Sequence, residues 1–199
     1  MSQSTPTPTG RVADGPLGQE VQIVRQFHAP IDVVWAAVTE SPRLERWIGR
    51  WDGDPATGHV QFFMTAEGED VPPEAVQITE CTPPHRLAVV TTSDTPDGPQ
   101  QWRIRIELSH DAGITTLLFA QLLADDLASV GPGWEYYLDR LAAALGGGDP
   151  GAVVWDDYFP AMSTHYAALG EAALGEAALG EAVLGEAVLG AEQRVTGNE

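Results

Sequence analysis

Apolar positions recur at two different periods along this chain, and each change of period marks a change of element. Val21, Ile23 and the position pair Arg25/Phe27 fall at intervals of two among polar Gln22 and Gln26, which predicts a half-buried β-strand. Ile31, Val34, Trp35 and Val38 then fall at i, i+3, i+4 and i+7, the single apolar stripe of a helix. Pro30 suits the first turn of that helix, where its missing N–H costs nothing, and Asp32 follows where the helix dipole favours an acid. Ser41-Pro42 ends it and opens another, with Ser41 as cap, Pro42 at the first helical position and Leu44, Trp47 and Ile48 on helical spacing. Strand patterns follow at Val60 to Ala66, Ala75 to Cys81, Leu87 to Thr92, Trp102 to Leu108 and Ile114 to Leu122, separated by turn material at 94–99 and 110–113. Strand after strand without an intervening helix predicts an antiparallel sheet. Trp134, Tyr137, Leu138, Leu141 and Leu145 restore the helical period, Gly131-Pro132-Gly133 shapes the entry, and Gly146-Gly147-Gly148 stops the helix.

These patterns occupy residues 19–148, the expected domain. Residues 1–18 are rich in Ser, Thr, Pro and Gly, and such a composition cannot offset the entropy of ordering it, so a disordered segment is expected there. Residues 149–167 contain Val153, Val154, Trp155, Tyr158 and Phe159, too apolar for a solvated linker, and are expected to pack back on the domain or on a second subunit. Residues 168–199 carry a Leu-Gly-Glu-Ala-(Ala/Val) repeat that places Leu169, Leu174, Leu179, Leu184 and Leu189 five apart. At ~100° per residue a five-residue step turns a helix by about 140°, so these leucines spiral round the axis and form no seam. One glycine per repeat costs roughly 1 kcal/mol against alanine. The repeat therefore reads as a low-complexity tail rather than as a partner-binding coiled coil.

Three segments in order carry a family resemblance. Ala29, Pro30, Val34, Trp35, Ala37, Thr39, Pro42, Leu44, Trp47 and Gly49 form the first, residues 80–87 (ECTPPHRL) the second and residues 133–141 (GWEYYLDRL) the third. Together they resemble the START-like (SRPBCC) superfamily and, within it, the activator-of-heat-shock-protein-ATPase-like family. The resemblance implies an α+β helix-grip fold: a curved antiparallel sheet wrapped round a long C-terminal helix. It implies fold more firmly than function, because members include binding proteins, polyketide cyclases and cochaperone-like domains.

Charge narrows the partners. The net charge is −19, from 29 acids against ten arginines and not one lysine, which disfavours nucleic acid and anionic membrane surfaces. A lone cysteine, Cys81, makes an internal disulfide impossible and fits a reducing cytoplasm. The early residues lack a basic-then-apolar leader and the chain lacks an apolar run long enough for a bilayer, so a cytoplasmic location is expected. The five histidines are scattered, none in HExxH and none paired with Cys81 at metal-ligand spacing, so neither metal nor cofactor is expected. A GxSxG elbow and a phosphate-loop lysine are missing as well.

Apolar recognition remains. Alternation puts Trp102, Ile104, Ile106 and Leu108 on one face of a strand and Arg103, Arg105 and Glu107 on the other, with Trp134, Tyr137, Leu138 and Leu141 of the last helix expected to meet the apolar face. Helix-grip folds commonly leave a hollow there, and the resemblance makes Trp47, Phe62, Met64, Trp102, Trp134, Tyr137 and Leu138 the lining candidates, with Tyr137 and the indole N–H groups as polar contacts. The first expectation is a noncatalytic domain binding a small hydrophobic molecule. The alternatives are a chaperone-associated interaction protein, with a protein partner or a homodimer, and a polyketide aromatase or cyclase whose acid or base would be Tyr137, His59 or Glu74.

Overall fold

A computed structural model describes residues 6–68, 70–95, 98–123 and 126–175. Eight strands, β1 Arg11–Gly15, β2 Gly18–Phe27, β3 Arg50–Asp52, β4 His59–Phe63, β5 Glu74–Thr82, β6 Arg86–Thr95, β7 Gly98–Asp111 and β8 Ile114–Leu122, form one curved, unclosed antiparallel sheet in the order β1-β2-β8-β7-β6-β5-β4-β3. Helices α1 Ile31–Thr39 and α2 Ser41–Leu44 bridge β2 to β3, and the long helix α3 Leu127–Leu145 follows β8 and sits against β2. A further helix, α4, covers residues 163–175. The α+β helix-grip expectation holds.

The register explains how the sheet makes a core. Residues opposite one another in an antiparallel ladder share a face, so Ile23, Phe119, Ile106 and Leu87 form one transverse row and Leu117 with Leu108 another. Against this face α3 lays Trp134, Tyr137, Leu138 and Leu141, and α1 adds Val34, Ala37 and Val38, to build the main core. Beneath Phe119 and beside Trp134 the rings lie 4.2 Å apart and tilted. A second, smaller core joins Val21 and Leu127 to Tyr158, Met162 and Tyr166 from beyond α3. The opposite face of the sheet is polar: Glu20 on β2 reaches across β8 to Arg105 on β7 at 2.6 Å, and Arg105 continues to Glu107, Glu107 to Arg86 and Arg86 to Glu80.

Four details differ from expectation. Residues 11–15, within the segment expected to be disordered, pair along β2 as an edge strand, from Arg11 opposite Gln22 to Gly15 opposite Gly18; ladder hydrogen bonds to an already ordered strand do what local composition does not. Ser41 does not cap α2. Its hydroxyl instead donates to Trp51 O at 2.7 Å and accepts from Trp51 N at 2.9 Å, tying α2 to β3. Helix α3 begins before Gly131-Pro132-Gly133 rather than after it, with Pro132 inside the helix. Residues 168–175, placed with the low-complexity tail, are helical in α4, where Ala173 is buried and Leu169 packs on the second core. The rest of the repeat, 176–199, lies outside the described residues.

Candidate functional site

The face of the sheet turned toward α3 changes character from one side to the other. On β8, Leu117 and Phe119 are 0% and 2% exposed, whereas Trp102, Ile104 and Ile106 on neighbouring β7 are only half-buried. Helix α3 covers the β2–β8 side, where it packs, and leaves the β4–β7 side less completely covered. The register extends this half-covered surface: Thr91 stands opposite Trp102, Val89 opposite Ile104, Val76 opposite Thr91 and Val60 opposite Val76. One row further along, Phe62 on β4, Glu74 on β5, Ser93 on β6 and Gln100 on β7 cross the end of the face. Glu74 Oε1 accepts a 2.6 Å bond from Ser93 Oγ. An apolar surface thus ends in a polar rim.

All seven candidate residues fall in one cluster or on its margin. Trp47, Trp134, Tyr137 and Leu138 are buried in it, and Phe62, Met64 and Trp102 pack against it half-buried. Their chemistry differs from the expectation in one respect, since two of the three indole N–H groups serve the fold. Trp47 Nε1 donates to Ala37 O at 2.9 Å, and Trp134 Nε1 donates to Oε1 of buried Gln121. Trp102 alone of the three has an indole N–H without a partner among the described residues. Tyr137 is 7% exposed and its hydroxyl donates to Glu67 Oε1 at 2.7 Å. Burial, the hydrogen bond to Glu67 and the Glu67 charge all push the Tyr137 phenol far up, so it stays a neutral donor. Glu67 belongs to the 3-10 turn Thr65–Glu67 after β4, which Ala66 N fixes on Ile48 O at 3.1 Å.

Of the three acid or base candidates, Tyr137 is buried beside the half-covered face, Glu74 is half-buried on its rim, and His59 is exposed, its Nδ1 3.3 Å from Thr57 O. Among the described residues, groups of three or more His, Cys, Asp or Glu placed to hold a metal do not occur, and helices long and apolar enough to cross a membrane do not occur. A surface cleft of about 230 Å³ lies apart from these residues, between the start of α3 and α4, lined by Leu123, Leu127, Gly170 and Leu174 among others.

A second constellation escaped the sequence reading. Glu135, completely buried on α3, receives Thr9 N at 2.5 Å, Gly10 N at 3.0 Å and the Tyr166 hydroxyl at 2.6 Å on Oε1, and the Arg25 guanidinium at 2.5 Å on Oε2. Arg25 also reaches Asp139 at 2.9 Å, and Asp139 accepts the Tyr158 hydroxyl at 2.7 Å. Burial alone would raise the Glu135 carboxyl, but the bonds from Tyr166, Arg25 and Thr9 outweigh it and hold the group below the usual carboxylate range. The signal was present: Arg25 occupies an inward position of β2's alternation and Glu135 the inward side of α3, which only mutual pairing makes tolerable. Gly10 and Gly131 both lie where a Cβ would run into the Tyr166 ring, so both glycines are room for that residue.

Residues 28–146 match the family model described as Activator of Hsp90 ATPase homolog 1-like protein. Among solved structures, CalU16 from Micromonospora echinospora is 23% identical with a TM-score of 0.64, covering 87% of this chain and 100% of its own. DynU16, from the dynemicin biosynthetic locus, is 22% identical with a TM-score of 0.56, over 71% of this chain and 50% of that one. The Aha1 dimer from Colwellia psychrerythraea is 17% identical with a TM-score of 0.50, over 63% of this chain and 95% of that one. At these identities the likeness is one of fold. The likeness to CalU16 runs well beyond residues 28–146, so it takes in part of the terminal arms. No curated protein matches the chain in sequence.

Proposed function

Because the chain belongs to the Activator of Hsp90 ATPase homolog 1-like family of helix-grip domains, we propose that it binds a small hydrophobic molecule on the half-covered face between β4–β7 and α3. The observation that carries this reading is the contrast along one face: Leu117 and Phe119 are sealed, while Trp102, Ile104 and Ile106, one strand away and equally apolar, remain half-exposed. Apolar side chains left part-open in a concave surface and bordered by a few polar groups are the usual make-up of a ligand site. Phe62, Met64 and Trp102 would contact the ligand, while Trp47, Trp134 and Leu138 form the wall behind them.

Six tryptophans make emission a direct reporter. Titration with aromatic polyketides, flavonoids and fatty acids is expected to quench or shift it, and Trp102→Ala to weaken binding about tenfold or more, the worth of a large aromatic contact, with only a small fall in Tm. Ligands that move neither emission nor melting temperature of the wild-type protein would overturn the reading.

One observation favours a second reading, a polyketide aromatase or cyclase: Tyr137 is a buried phenol held neutral at the edge of the same face, able to donate to a substrate carbonyl or enolate in place of its bond to Glu67. Turnover of a linear poly-β-ketone by the wild type and its loss in Tyr137→Phe, with ligand affinity retained, would distinguish it from simple binding. A chaperone role rests on the family's description alone and is tested by whether the protein stimulates ATP hydrolysis by an Hsp90-type chaperone.

A further inference from the structure

Two carboxylates without an arginine ion pair stand on the rim of the proposed site. Glu67 comes down from the 3-10 turn onto the Tyr137 hydroxyl, and Glu74 projects onto the face itself, directly across the ladder from Phe62 and one row from Thr91 and Trp102. Each carboxylate accepts a hydrogen bond from a neutral hydroxyl, Tyr137 and Ser93 respectively. Neither is paired with an arginine, although arginines 25, 43, 50, 86 and 105 all hold acids elsewhere. Arg140 is spent on Trp47 O and Pro150 O. The carboxylates do not by themselves make a site; the apolar face does that, and they decide which end group it accepts.

An anionic head group would meet two like charges there, and among the described residues no arginine is ion-paired with either, although the charge of Arg140 reaches the Tyr137 hydroxyl. A protonated nitrogen would meet the opposite: a carboxylate within reach and, beside it, the faces of Phe62 and Trp102, which attract a cation through the ring quadrupole. The hydroxyls of Tyr137 and Ser93 can keep their present acceptors while this happens, because a carboxylate offers about four lone-pair sites and each is using one for the bond shown. From this geometry we infer that the ligand of the half-covered face is a hydrophobic amine, its apolar body against Trp102, Ile104 and Ile106 and its protonated nitrogen at Glu74 and Glu67. The inference rests on the apolar-site reading above and adds the end group.

Three dansyl probes share one apolar body and differ in charge: dansylcadaverine carries a protonated amine, dansylamide is neutral and dansylglycine is an anion. Each is titrated into the full chain at 0.15 M salt, with energy transfer from tryptophan as the signal. Dansylcadaverine is expected to bind about tenfold more tightly than dansylglycine, the scale of one charge-assisted contact, with dansylamide between them. The Glu67→Gln/Glu74→Gln double variant keeps acceptors for both hydroxyls and is expected to reduce the difference to less than twofold. Asp111→Asn, at the far end of β7, removes the same type of charge from the molecule and is expected to leave the difference intact. Equal binding of all three probes, or a preference that persists in the double variant, overturns the amine inference and leaves the apolar site standing; the second outcome assigns the preference to the overall charge of −19. If none of the three binds, the apolar-site reading falls, and the inference with it.

Discussion

Glu135 is the residue on which the two ends of the described chain meet, and its ionisation is tied to folding. The carboxyl lies below the usual carboxylate range in the folded protein and at that range when unfolded, so its contribution is fully present above the unfolded value and is lost as pH falls through the folded one. Glu135→Gln leaves Arg25 with Asp139 alone and is expected to cost roughly 3 kcal/mol near neutral pH, the scale for breaking a buried ion pair by removing one partner. At about 2–4 °C per kcal/mol for a chain of this size, that is a fall in Tm of around 10 °C. Thermal melts from pH 7 down to pH 3 should show the gap between wild type and variant closing as the medium becomes acidic; a gap independent of pH would mean that the charge of Glu135 does not matter.

Between elements, α3 and α4 meet at a pair of glycines with opposite roles. Gly131 gives its missing side chain to the Tyr166 ring, while a Cβ at Gly133 would meet nothing within 4 Å. Gly133→Ala is expected to stabilise the protein by up to about 1 kcal/mol through helix propensity. Gly131→Ala, in the same helix, is expected to destabilise it by about 1–3 kcal/mol through overpacking. Chemical denaturation of both variants checks the pair, and equal effects would remove Tyr166 from the contact. This is also where the sequence was hardest to read. The strands β4 to β8 and helix α1 were legible because each carries its own apolar period, and the alternation of Trp102 to Leu108 places both faces of β7 correctly. Strand β1 was not, because Arg11 and Asp14 leave it little apolar signal and its order comes from pairing with β2, the strand that follows it across Pro16-Leu17. The entry of α3 was misread because Gly131 and Pro132 are helix breakers by propensity, a preference that burial against Tyr166 overrides. The seven site candidates were legible as one cluster because they share periods with the core; of the acidic rim Glu74 was already named as an acid candidate, whereas Glu67 was not, since it reaches that face through a turn that no local pattern encodes.

At the scale of the whole molecule, 29 acids face ten arginines, and among the described residues Arg86 and Arg105 form ion pairs in the polar ladder on one face of the sheet, Arg25 in the Glu135 network, and Arg43 and Arg50 around α2 and β3. The surplus of negative charge repels itself, and salt should relieve more repulsion than it removes attraction. Raising sodium chloride from 0.02 to 0.5 M is therefore expected to raise Tm, and a fall would show that the surface ladder outweighs the net charge.

The Glu135 network has a consequence for how the molecule comes into being. Its donors are Thr9 and Gly10 at one end, Arg25 on β2 and Tyr166 on α4, and Gly10 bonds Tyr166 directly across 156 positions of sequence. During synthesis the first of these groups waits for the last: the sheet and α3 can assemble while Glu135 is held by Arg25 and the early backbone, but its shell is completed only when residue 166 has been made. Contacts of such separation are the slow ones to close. The protein thus fastens an early segment of the chain with a later one, and a chain interrupted between the end of α3 and Tyr166 keeps its sheet-forming residues yet leaves a buried carboxylate short of one of its hydrogen bonds.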